Sequence, residues 1–97
     1  MKAIFIAFDQ AHYEAVIEIL EKNSCRGFTS FGEIQGRGTH TGEPHYGSHA
    51  WPSLGNAVLT MVEDSKVETV LQRLKELDTL KPRLGLRAFV WDIIQNI

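Results

Sequence analysis

Residues 36–55 read GRGTHTGEPHYGSHAWPSLG. They hold three of the four histidines, two of the three prolines and one of the two tryptophans, and their apolar residues recur at neither helical nor strand spacing. A structureless stretch of this length inside a small domain is either a misassigned element or a functional loop. Both flanks are regular, which favours the loop.

Toward the N-terminus, Phe28 to Gln35 alternates. Phe28, Ser30, Gly32 and Ile34 fall on one side, and Thr29, Phe31, Glu33 and Gln35 on the other, so a strand is expected, interrupted at Gly32. Before it, Gln10 to Asn23 carries Tyr13, Val16, Ile17 and Leu20 at helical spacing, with Glu14, Glu18, Glu21 and Lys22 elsewhere on the surface. Asp9 suits the N-cap of that helix, and Asn23, Ser24 and Gly27 end it. Lys2 to Phe8, rich in isoleucine and phenylalanine, reads as a strand buried on both faces.

Toward the C-terminus, Asn56 to Val62 (NAVLTMV) is another β-type run in which Val58, Thr60 and Val62 share a face. Ser65-Lys66-Val67-Glu68 has the form of a capping box, and Val67, Val70, Leu71, Leu74 and Leu77 then make an amphipathic stripe. Pro82 stops this helix, Gly85 allows a turn, and Arg87 to Asp92 (RAFVWD) reads as a final strand. The order strand, helix, strand, long loop, strand, helix, strand predicts an α+β, ferredoxin-like βαββαβ sandwich over residues 1–97, one domain with its long loop between strands 2 and 3. Right-handed crossovers put the first and third strands at the centre of the sheet.

Composition narrows the partners. A net charge of −2 over 97 residues leaves no electrostatic footprint for nucleic acid or an anionic membrane. No apolar run is long enough to insert in a bilayer, and MKAIFIAFDQ lacks a small-residue cleavage site. A single cysteine, Cys25, forms no intramolecular disulfide, so a reducing, cytoplasmic location is expected, with Cys25 a buried bystander. The long loop adds little to the one core such a chain can bury, so oligomerisation would help stability.

Two sets of residues could carry chemistry. His40, His45 and His49, with Glu43 between them, supply imidazole and carboxylate donors suited to zinc, copper, nickel or cobalt. Their spacing matches no standard zinc pattern, and Pro44, Gly47 and Pro52 disfavour a helix that would align them, so exposed loop histidines are the plainer alternative. Gly36-Arg37-Gly38-Thr39 could bring backbone N–H groups and an arginine fork to a phosphate, with Arg87 as a second cation; a tight turn explains the same glycines. Trp51-Pro52 suits an anchor for the returning end of the loop, and Trp91 reads as core. His12 is expected at the surface, and Lys66, Arg73, Lys75, Lys81 and Arg83 as a solvated face balanced by Glu68, Glu76 and Asp78. Ser48 and Ser53 accompany the loop histidines without an ordered triad, so no catalytic constellation emerges and an enzyme is disfavoured.

From KAIFIAFDQAHYEAVIEIL to GLRAFVWDI the chain resembles the P-II signal-transduction family, most tellingly in IQGRGT before the loop, NAVLTMVED after it and GLRAFV at the last strand. The resemblance implies a homotrimer that binds adenine nucleotides between subunits and docks a mobile loop, here residues 36–55 in the place of the T-loop, onto a membrane transporter or another regulated protein. It places Gly36 and Arg37 at the family's glycine-arginine pair and Arg87 at its phosphate-contacting lysine. Leu84 and Leu86 stand where the family has glycines, which marks a divergent member. CutA-type divalent-cation-tolerance trimers share the fold and are the natural comparison for the histidines.

The expected function is therefore a non-enzymatic regulator sensing a small ligand. That ligand contacts Gly36, Arg37, Gly38 and Arg87 if it is a nucleotide, and His40, Glu43, His45 and His49 if it is a metal. The alternatives are a metal-handling protein, a small enzyme with a loop-bound metal, and an interaction module whose loop packs on a partner.

Overall fold

The computed structural model describes residues 1–25, 27–34 and 55–97. Strands β1 (Lys2–Asp9), β2 (Phe28–Ile34), β3 (Gly55–Val62) and β4 (Leu86–Asp92) form one sheet in the order β2-β3-β1-β4, every neighbouring pair antiparallel. Helices α1 (Tyr13–Lys22) and α2 (Asp64–Leu80) join β1 to β2 and β3 to β4. This is the ferredoxin-like α+β arrangement, with the first and third strands central.

The core lies between the sheet and the helices. Ile4, Ile6 and Phe8 of β1 share a face with Val58, Thr60 and Val62 of β3, because the ladder pairs Ile4 with Thr60 and Ile6 with Val58. Val16 and Leu20 of α1 and Val70 and Leu74 of α2 close over that face, with Tyr13, Ile17, Val67 and Leu77 packed at its margin. Those helical residues are the apolar stripes seen in the sequence, since positions three and four apart share one side of a helix. Thr60 is accommodated among them because its hydroxyl donates to the Gly27 carbonyl at 2.7 Å.

The two expected helix caps are corrected, while the break in β2 and the Pro82–Gly85 turn fall where the sequence puts them. Asp9 does cap, but what it caps is a 3-10 turn over Gln10–His12: its carboxylate accepts the Ala11 N–H at 2.8 Å, and the α-helix starts only at Tyr13. The Ser65–Glu68 capping box does not form. Helix α2 begins two residues earlier than that box requires, at Asp64, so Ser65 already lies inside the first turn, and Glu63 occupies the cap without a side-chain bond. Asp64 instead accepts an ion pair from the N-terminal amine at 2.8 Å, which holds its carboxyl below the usual range. The alternation in β2 breaks between Phe31 and Ile34, where the register shifts and Glu33 takes a left-handed φ of 52°. Downstream, α2 ends two residues before Pro82, which opens a second 3-10 turn over Pro82–Leu84, and Gly85 turns the chain into β4 at φ 79°.

Candidate functional site

Ladder register gathers one end of the sheet around the long segment. Ile34, the last described residue before it, pairs with Gly55, the first described residue after it. Gly55 in turn pairs with Asp9 at the end of β1, and Phe8 pairs with Leu86 at the start of β4. Both stems of the segment, the β1–α1 corner and the Gly85–Arg87 turn therefore meet at one edge. A Cβ at Gly55 would lie 2.9 Å from the Ile34 carbonyl oxygen, so the stems are packed backbone against backbone. Glu33 N–H donates to the Asn56 side-chain oxygen at 3.2 Å and ties the bulge to the opposite stem.

Arg87 is the one candidate ligand residue among the described ones. It is exposed and lies opposite Ala7, on the face of the sheet away from the helices. The same register sets Ala57 on the other side of Ala7 and Phe31 beyond Ala57, so Arg87 ends a row whose floor is two alanines. Lys81 and Arg83 precede it on the α2–β4 connection, and both are exposed. Cations concentrated on this connection favour an anionic group at the loop end of the sheet, although Asp9, Glu33 and Asp78 are carried by the same neighbourhood of the chain. Gly36, Arg37 and Gly38, and the metal candidates His40, Glu43, His45 and His49, lie outside the described residues, as do Trp51, Pro52, Ser48 and Ser53. Among the described residues no group of three or more His, Cys, Asp or Glu side chains converges on a metal position.

Two features escaped the sequence. The first is the open face of the sheet. Trp91, expected in the core, is 49% exposed, and with it Phe89 (57%), Met61 (48%) and Phe31 (43%). Register puts Thr29, Leu59, Phe5 and Phe89 in one row across this face and Met61, Ala3 and Trp91 in the next. The signal was the strict alternation of β4: Leu86, Ala88 and Val90 turn to the helices, so Arg87, Phe89 and Trp91 must turn away from them. The second is His12, expected at the surface but only 4% exposed, whose Nε2 makes no hydrogen bond among the described residues. It follows the Asp9-capped turn directly, and burial lowers its pKa against the opposing pull of Asp9 and Asp78.

The remaining charges are peripheral. Lys2 pairs with Asp92 at the opposite end of the sheet, and Glu18–Lys22 and Arg73–Glu76 pair along the exposed helix faces. Cys25 is buried as expected, and burial raises its thiol pKa. No described helix is long and apolar enough to cross a membrane.

No protein-family model matches the chain, nor does any curated protein sequence. Solved structures do match. CPII, a nitrogen regulatory PII-like protein from Thiomonas intermedia K12 bound to ADP, AMP and bicarbonate, superposes with a TM-score of 0.79 at 21% identity, covering 95% of this chain and 84% of that one. Its apo form gives 0.73 at 18% identity, with 95% and 87% covered. A putative PII-like signaling protein from Thermus thermophilus gives 0.67 at 21% identity, with 95% and 85% covered. The fold of this chain is thus the fold of PII-like proteins, present over nearly its whole length.

Proposed function

We propose that this chain is a divergent, non-enzymatic P-II-like regulatory protein of the cytoplasm that binds an adenine nucleotide at the loop end of its sheet. The observation that carries the reading is the agreement of fold over 95% of the chain with a protein bound to ADP, AMP and bicarbonate. The placement of Arg87 supports it, since an exposed guanidinium beside a floor of alanines and next to the loop stems can receive a phosphate without displacing bulk. Gly36, Arg37 and Gly38 complete the phosphate contacts in this proposal, and a small carboxylate-like anion is the co-ligand suggested by the bicarbonate of that neighbour.

The working assembly is a homotrimer built on the open sheet face. Phe31, Met61, Phe89 and Trp91 each leave about half of a large side chain in water, worth roughly 1 kcal/mol apiece on burial. Further copies of the same chain cover that face and close the assembly symmetrically. The segment 36–55 then acts as the docking element for a transporter or another regulated protein, its ligand favouring one arrangement over another.

Calorimetry with ADP, AMP and ATP, in the presence and absence of bicarbonate, tests the ligand. Saturable heat from one of the nucleotides is expected, and silence from all of them removes the reading. The competing metal reading rests on His40, Glu43, His45 and His49. Stoichiometric metal in protein purified without a histidine tag, lost in His45→Ala and His49→Ala, would establish it instead.

A further inference from the structure

We propose that the corner between β1 and α1 is an acid-sensitive joint beside the stem residues Gly55 and Ile34, closed while His12 is neutral and opened when its imidazole takes a proton. The argument stands apart from any ligand. His12 is buried at the last position of the 3-10 turn, and its Nε2 has no hydrogen-bond partner among the described residues. An imidazolium donates from both ring nitrogens, so in this position the added proton at Nε2 would meet no acceptor among the described residues. Three charged groups bear on the ring: Asp9 from the end of β1 and Asp78 from α2 favour the proton, and Lys81, just after α2, opposes it. Burial outweighs the two carboxylates, and the ring is held neutral.

The proton is therefore accommodated by bringing the ring to water, and the ring is fixed to a three-residue turn. Moving that turn takes Ala11 N–H off the Asp9 carboxylate and Tyr13 N–H off the Gln10 carbonyl. Asp9 is itself paired with Gly55, which is packed against Ile34, so the disturbance reaches one stem in one ladder step and the other in two. The sign follows from linkage. A histidine whose folded pKa is depressed contributes full stability above its unfolded pKa near 6.5, and that contribution is lost as pH falls below it toward the folded value.

Amide hydrogen exchange on the full chain, corrected for intrinsic rates, is compared at about pH 7.5 and about pH 5.5. Protection at Ala11, Tyr13 and Glu33 is expected to fall severalfold at the lower pH while Val70 and Leu74 in α2 hold theirs. In His12→Gln the selective fall disappears. Uniform loss across the chain, an unmoved corner, or the same selective fall in His12→Gln would overturn the joint. Should that variant not fold, the imidazole signals of the wild-type protein decide. They are expected to stay neutral below the ordinary histidine range, with the Ala11 and Tyr13 amides moving in step with protonation. Ordinary titration with those amides unmoved overturns it.

Discussion

Gly55 and Ile34 are in backbone contact across the β2–β3 ladder: a methyl group at Gly55 would lie 2.9 Å from the Ile34 carbonyl oxygen and 3.2 Å from its Cγ1. Gly55→Ala is accordingly expected to destabilise the protein by about 1–3 kcal/mol, the usual cost of forcing an extra carbon into a packed site. Gly32→Ala serves as the contrast. The nearest atom to its added carbon is the Asn56 side-chain oxygen at 3.8 Å, an ordinary contact, so its effect should stay within about 1 kcal/mol. Urea denaturation of the two variants beside the wild type measures the difference, and equal costs would contradict the close approach.

Arg87→Ala should weaken nucleotide binding by about 10- to 100-fold, the range expected for losing a charge-assisted bond to phosphate. Arg87→Lys should recover only part, because an ammonium lacks the planar fork. Both titrations belong beside thermal unfolding, in which loss of the exposed Arg87 should cost no more than about 1 kcal/mol. A variant that binds nucleotide as the wild type does would place the phosphate elsewhere.

Phe89→Asp and Trp91→Asp should break the assembly without unfolding the chain. Both residues turn away from the helices, so a carboxylate there reaches water in the separated subunit but would be stranded in a covered face. Sedimentation or light scattering should show a trimer for the wild type and smaller species for the variants, with circular dichroism unaltered. A wild-type monomer at micromolar concentration would refute the covered face.

Cys25 should resist alkylation in the native protein and react quickly once denatured. It is buried, its Sγ–H reaches the Asn23 carbonyl at 3.5 Å, and burial pushes its thiol up, so little thiolate is present at neutral pH. Reaction with iodoacetamide at about pH 7.5, followed by mass, should be at least roughly tenfold slower in buffer than in denaturant. Equal rates would mean that the segment after α1 opens readily.

The order of elements was legible because two periodicities carry it. Lys2–Phe8 and Asn56–Val62 show β-type runs, Tyr13–Leu20 and Val67–Leu77 show helical stripes, and crossover handedness supplies the strand order. What failed was whatever depends on a second body. Trp91 sits in an apolar run whether its side of the sheet is packed or open, and only the register that turns Val90 to the helices reveals that Trp91 is turned away. His12 is polar, for which the surface is the default, yet it stands four residues before Val16, a spacing that shares its helix face, and it is buried with it. The Ser65 box matches a sequence pattern that the structure does not use: the N-terminal amine of Met1, remote in sequence, holds the first residue of α2. Arg87 stands out in the sequence as a cation at the start of the last strand, where the resemblance also has a lysine, and the register puts it at the loop end of the sheet. The other candidate ligands lie in the segment whose lack of periodicity first marked it.

The two stems are not equally secured. β3 is an inner strand whose Ala57, Val58, Thr60 and Val62 are buried, whereas β2 is an edge strand on which every residue but Ile34 is exposed within the chain. A force applied between the stems is therefore resisted on one side by the hydrophobic core and on the other mainly by ladder bonds. Asn56 adds its bond to Glu33, and Thr60 its bond to Gly27 just ahead of the strand. Under tension β2 is expected to part before β3. The two stems therefore differ in how they would yield: one is held by the core and the other chiefly by its ladder.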